Sequence, residues 1–170
     1  MRSVTAPLLA IAAALGLIAC GEPAVDVDIP DRAAGQHLLD AAGILDTAAV
    51  EGALADASQA SGLDVVGLAF TDGAANLGQA DRGGRALLDA WDADVVVVAV
   101  AAPGDFTSVG ADRRRFFGVF SGDRFDVPRS VRERIVGDVA SGSAGANDWT
   151  SAFTGAAEAL ATSLAARGGG

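Results

Sequence analysis

The chain has 170 residues, about half of them apolar, and sets 12 basic against 22 acidic residues for a net charge of −10. That length suits one compact domain with a leader or tail. The charge repels nucleic-acid phosphates and anionic headgroups, which argues against a DNA or RNA partner and suits divalent cations or basic protein surfaces. Every basic residue is Arg, tyrosine is absent, and the single cysteine excludes an internal disulfide and paired-thiol redox chemistry.

Residues 1–19 read as a leader. Arg2 supplies the positive start, Val4–Ile18 is almost wholly apolar, and Leu17-Ile18-Ala19-Cys20 follows, the three regions of a secretory signal. A permanent span wants about 20 apolar residues, and this run is shorter and alanine-rich. Leu-Ile-Ala-Cys resembles the bacterial lipobox, in which cleavage falls before a lipidated cysteine. A lone cysteine is ordinarily a buried thiol, but its place at the end of this run points to lipidation of Cys20. Residues 20–35, with Pro23, Pro30, Gly35 and several acids, are expected to form an extended, mobile tether that holds the domain off the membrane.

The folded domain is expected over residues 36–167, with Gly168–Gly170 as a glycine tail. Gln36–Leu39 predicts a short strand and Asp40-Ala41-Ala42-Gly43 a turn. Asp46 or Thr47 then caps a helix bearing Val50, Leu54 and Ala57, which Gly62 ends. Asp64–Phe70 predicts a second strand. Leu77, Ala80, Gly84, Leu87 or Leu88 and Trp91 share one face of a second helix, whose Gly83-Gly84 pair implies a close approach to the sheet. Asp94–Ala101 is an unbroken apolar run centred on valines. It predicts an interior strand that must be covered on both faces.

Only about a dozen residues without helical pattern lead to Arg113–Phe120, so that strand is expected to return antiparallel. Pro128 opens a helix with Val131, Ile135 and Val139 on one face and an Arg129–Glu133 pair on its surface. Ser141–Ala146 reads as a Gly/Ser loop, and a last helix from Asn147 or Asp148 carries Trp149, Phe153, Leu160 and Leu164. The expectation is an α/β fold, with a mixed, mostly parallel sheet of about four strands and helices on both faces.

The order and spacing of these pieces resemble the TPM domain. The resemblance rests on Asp40-Ala41-Ala42-Gly43-Ile44-Leu45, Ser61-Gly62-Leu63-Asp64-Val65-Val66, a helix closing on Trp91, the valine strand, an Arg-rich strand and a last helix entered through Asp148-Trp149-Thr150. It spans about Gln36–Ala166. The family's opening Asp-x-Ala-Gly-x-Leu falls on Asp40, Gly43 and Leu45, and its acidic residue before the central strand on Asp94. Its usual Asp-x-Gly there is replaced by Asp92-Ala93-Asp94, and its Gly-x-Gly after the next strand is reduced to Gly122. The resemblance implies a membrane-associated, extracytoplasmic domain. A plant relative in the thylakoid lumen is described as an acid phosphatase, and many bacterial members have no known activity.

Asp40, Asp92, Asp94, Asp112 and Asp123 fall at predicted strand ends, where α/β sheets tend to bind ligands. Converging carboxylates there, with Asp40, Asp94 and Asp123 as the set of choice, would hold Ca²⁺ or Mg²⁺ and orient a phosphate ester. The plainer reading makes them turn and cap residues, as Asp46 is. Arg113 and Arg115 could contact a phosphate or an acidic partner, or pair with neighbouring aspartates, with Arg114 on the opposite face. His37 is the sole histidine and is read as packed or superficial. Ser143 lacks the first glycine of a nucleophile elbow, and Arg82-Gly83-Gly84-Arg85 lacks dinucleotide spacing.

Two functions stay open. One is a lipid-anchored interaction or assembly module at the outer face of the cytoplasmic membrane, with an envelope protein as partner. The other is a metal-assisted phosphatase by family analogy.

Overall fold

A computed structural model describes residues 25, 27–110 and 112–165. The leader, Cys20 and the glycine tail lie outside the described residues. The strands β1 (Leu38–Asp40), β2 (Val65–Thr71), β3 (Val95–Ala101) and β4 (Arg115–Ser121) form one sheet in that order. β1, β2 and β3 are parallel and β4 returns antiparallel, with Val97 between Gly67 and Val119. The α/β architecture is the expected one, and each strand lies within a residue or two of its expected range.

β3 is apolar at every position, so each face of the sheet needs its own cover. Val95, Val97, Ala99 and Ala101 face one core, with α1 (Thr47–Ser61), α5 (Trp149–Ala165) and the helical stretch before α5. Val96, Val98 and Val100 face a second core under α2 (Leu77–Trp91). The α1 and α2 crossovers advance in the same direction across the sheet yet cover opposite faces. One of the two is therefore left-handed, against the usual preference for right-handed crossovers.

Local chemistry sets the helix ends. Asp46 accepts from the Ala49 N–H at 3.2 Å and Gly62, at φ 71°, closes α1. Asn76 caps α2 in the same way, and Asp92 ends it in the left-handed region at φ 51°. The close approach expected at Gly83-Gly84 is present. A Cβ on Gly83 would lie 2.7 Å from the Phe70 ring, and one on Gly84 3.1 Å from methyls of Val96 and Val98.

Two expectations are corrected. Residues 129–145 form one helical rod: α3 (Arg129–Arg134), a π-helical segment (Ile135–Ala140) and α4 (Ser141–Gly145). The π turn inserts one residue into the repeat, so Ile135, Ala140 and Ala144 are buried, while Val139 is half-buried beside Gly155 of α5. Ser143 thus lies in a helix, not in a Gly/Ser loop.

The second correction concerns the tether. Val25, Val27 and Ile29 pack on the second core beside Leu39, where α2 does not reach. The Trp91 indole N–H donates to the Pro30 carbonyl at 3.0 Å. Arg32 stacks over the Trp91 ring at 5.4 Å and forks onto both oxygens of Asp64. From Val27 onward the stretch is a strap belonging to the domain.

The fit at Gly83 outweighs helix propensity. Gly83→Ala gains about 1 kcal/mol of propensity but must displace a buried ring, which costs about 1–3 kcal/mol. Gly52, in α1, has open space around its Cβ position. Urea denaturation is expected to show Gly83→Ala less stable than wild type and Gly52→Ala more stable.

Candidate functional site

The aspartates expected to converge do not. Asp40 ends β1 at the carboxyl side of the parallel strands, whereas Asp94 precedes β3 and Asp123 follows β4 at the opposite end of the sheet. Asp40 closes its own turn, accepting from the N–H groups of Gly43 and Leu45 at 2.9 Å each. Asp112 is an exposed loop residue ahead of β4. Among the described residues no group of three or more His, Cys, Asp or Glu side chains is placed to hold a metal ion.

Asp94 joins a network of arginines instead. One of its oxygens accepts from the Asp64 N–H at 2.8 Å and the other from Arg124 Nε at 3.0 Å. Arg124 also reaches the Asp92 carboxylate at 2.9 Å and the Asp92 carbonyl. Asp64 in turn holds Arg32. The hydrogen bond to Asp64 raises the Arg32 pKa, and the bond to Asp92, with the charges of Asp92 and Asp94, raises that of Arg124. Two loops and the strap are thus tied to the amino ends of β2 and β3. The Asp94 side chain is 17% exposed and that of Asp92 88%, so the structural weight falls on Asp94. His37 packs beside the same network, its Nδ1 3.0 Å from the Val65 carbonyl and 3.7 Å from Asp64.

The arginine cluster sits at the other end of the sheet. Arg113 and Arg115 share the Asn147 side-chain oxygen and the Gly145 carbonyl, and Arg115 lies 5.3 Å over the Trp149 ring. Burial, then the neighbouring Arg113 charge, lowers the Arg115 pKa. Neither makes an ion pair among the described residues. Their donors staple the loop before β4 to the entrance of α5 through neutral acceptors. Arg114 points the other way, to the Gly73 carbonyl at 3.0 Å, as strand alternation requires.

What the sequence does not single out is a groove of about 740 Å³ along β4. Its floor is Phe116, Gly118 and Phe120, one wall is Leu77, Asp81 and Arg85 of α2, and the other runs along Arg132, Glu133 and Val136. A side chain at position 118 would strike the flanking rings, since a Cβ there would stand 2.8 Å from Phe116. Leu77 is 57% exposed at the mouth, one of two large apolar side chains open to solvent among the described residues. Beyond Asp123 the groove runs on into a smaller hollow of about 120 Å³ against Asp89. The sequence signal for it is a phenylalanine-rich strand with only one strand neighbour.

Compared with known proteins, the sequence matches no family model and no curated protein. Among the described residues no helix is long and apolar enough to cross a membrane.

Asp94 is expected to act on stability. Asp94→Ala leaves the Asp64 N–H without its acceptor and Arg124 without its better-shielded anion, a loss of about 1–3 kcal/mol. Asp94→Asn keeps an acceptor oxygen and should lose less. Thermal melts of the two variants, compared with wild type, check the order.

Proposed function

We propose that the chain is a lipid-anchored, extracytoplasmic module of TPM-like type that captures a polypeptide partner at the membrane surface. The groove along β4 is the observation that carries this reading. It is large and open, it combines an apolar floor with a charged rim, and it is walled on both sides, as ligand-binding clefts are. Of the residues first considered for metal chemistry, Asp94 is committed to Arg124 and the Asp64 N–H and Asp40 to the β1–α1 turn, which makes those two parts of the frame.

The address comes from the amino-terminal sequence: a charged start, an apolar run and Leu17-Ile18-Ala19-Cys20. Lipid on Cys20 would bring the strap to the membrane, because only four residues, a reach of at most about 17 Å, lie between Cys20 and Val25. The acidic surface favours a partner with basic character over nucleic acid. The TPM assignment rests on the order and spacing of the motifs from Asp40 to Thr150.

Two experiments test the two halves. Cys20→Ser is expected to move the protein out of the membrane fraction or to leave an unprocessed precursor, and unchanged processing and fractionation would remove the anchor. Photo-crosslinking residues at Leu77 and Val136 are expected to yield one and the same adduct with an envelope polypeptide in intact cells. A probe at exposed Ala60 on α1 should not give it. Equal adducts at all three positions would remove the groove as the binding face. Ca²⁺- or Mg²⁺-dependent hydrolysis of a phosphomonoester, lost in Asp94→Asn, would replace the reading with a phosphatase.

A further inference from the structure

The two edges of the sheet are finished differently. β1 has three residues, and its outward Leu38 carbonyl accepts from the Gln36 side chain at 2.9 Å, while the Asp40 carbonyl faces the Gly43 N–H at 3.4 Å. That edge is short and closed by its own chain, the usual protection. β4 has seven residues with no proline, and its central Phe116–Phe120 carries no charge.

Its pairing with β3 settles which peptide groups are free. The Ala102 N–H donates to the Arg114 carbonyl and the Gly122 N–H to the Asp94 carbonyl, each at 2.8 Å. In an antiparallel ladder bonded pairs alternate, so the even-numbered residues of β4 bond to β3. The N–H and C=O groups of Phe117 and Val119 point away from β3, and among the described residues they meet no partner. Val119 lines the groove between α2 and the α3 rod, as do Phe116 and Gly118 on either side of Phe117.

We infer that this groove takes an extended, basic peptide, with apolar and cationic residues in alternation, which adds to β4 as a fifth strand. The inference rests on the interaction reading above and names the partner's chemistry. Backbone bonds to Phe117 and Val119 supply the pairing, and the walls read alternate side chains. On the α2 side an incoming residue meets Leu77, Phe116 and Phe120, and on the other side Val136.

The charge of the guest follows from the rim. Asp81, Asp123, Asp126 and Glu133 stand there against Arg85 and Arg132. Arg85 is bound to Asp81 and Arg132 to Asp126, each at 3.1 Å, and Glu133 is held by Arg129 at 2.6 Å. Asp123 has no ion-pair partner among the described residues. A rim with excess acid on a chain of net charge −10 draws a cationic strand. It opposes a second copy of this chain, which would bring the same acids face to face.

The test uses the full lipidated chain in phosphatidylcholine nanodiscs, with empty discs as the blank. The probe is a nine-residue peptide of alternating lysine and valine. One control is N-methylated at every second residue, which keeps side chains and charge but blocks strand pairing. Another has glutamate in place of lysine. Saturable binding of the probe is expected, weakened about tenfold or more by N-methylation or by Asp123→Arg with Glu133→Arg. Amide exchange is expected to slow over residues 115–121, which reads the edge directly without any mutation.

Equal binding of the methylated peptide, protection elsewhere, or equal binding of the glutamate peptide would overturn strand addition. Absence of probe binding would overturn it too. Neither result touches the crosslinks from Leu77 and Val136, on which the interaction reading stands separately. Protection of 115–121 without peptide, together with dimers, would make a second copy the occupant and overturn the basic-peptide inference.

Discussion

β3 is the constraint on which the fold depends. Seven apolar residues in a row give the strand no face that tolerates water, so both faces of the sheet must be sealed. On one face α1, α5 and the π-helical segment do this, with Phe117 set edge-on to Phe153 at 5.4 Å. On the other, α2 lies close over β3 and β4 because Gly83 and Gly84 let its backbone approach. A single helix cannot also cover the β1 side. The strap closes that gap, and Trp91, the buried last residue of α2, supplies the hydrogen bond and the ring that hold it.

This also accounts for the hand of the crossovers. With all parallel strands laid down in one direction, right-handed connections would stack α1 and α2 on the same face and leave the other bare. Placing them on opposite faces gives up the preferred hand once and covers β3 twice. It also parts the chain at the carboxyl ends of β1 and β2, the kind of position where α/β proteins bind ligands. Here the opening is occupied by its own turns. Asp40 bonds the start of one loop, and Asp72, almost fully buried, accepts from the Ala74 N–H at 2.7 Å in the other.

The parts legible in the sequence were those with strong periodicity: the interior strands, α1 and α2 with their caps, the Arg129–Glu133 pair, now seen at 2.6 Å, and the close approach at Gly83-Gly84. Three features escaped for separate physical reasons. The strap reads as a linker because of Pro30 and its acids, although Val25, Val27 and Ile29 alternate strictly with polar residues, which is a strand-like signal. The π turn breaks a repeat of 3.6, and no periodic template registers an inserted residue. The aspartates suggested a cation site because sequence shows how many acids stand near strand ends but not which arginines reach them. Arg32 lies 32 positions from Asp64, and Arg124 lies 30 from Asp94.

Arg124 and Gly118 together define the open edge. By clamping Asp92 and Asp94, Arg124 fixes the chain as it leaves β4 and turns toward α3, and so sets where the groove's second wall stands. Gly118 leaves the rings of Phe116 and Phe120 without a side chain between them, which keeps the floor low beside the unpaired peptide groups. A bare edge flanked by high walls excludes flat sheet-to-sheet stacking but admits a single extended chain, so the walls do the protective work that charges or proline do on other edges. The frame around Asp94, first read as a place for chemistry, anchors the chain on either side of this open edge.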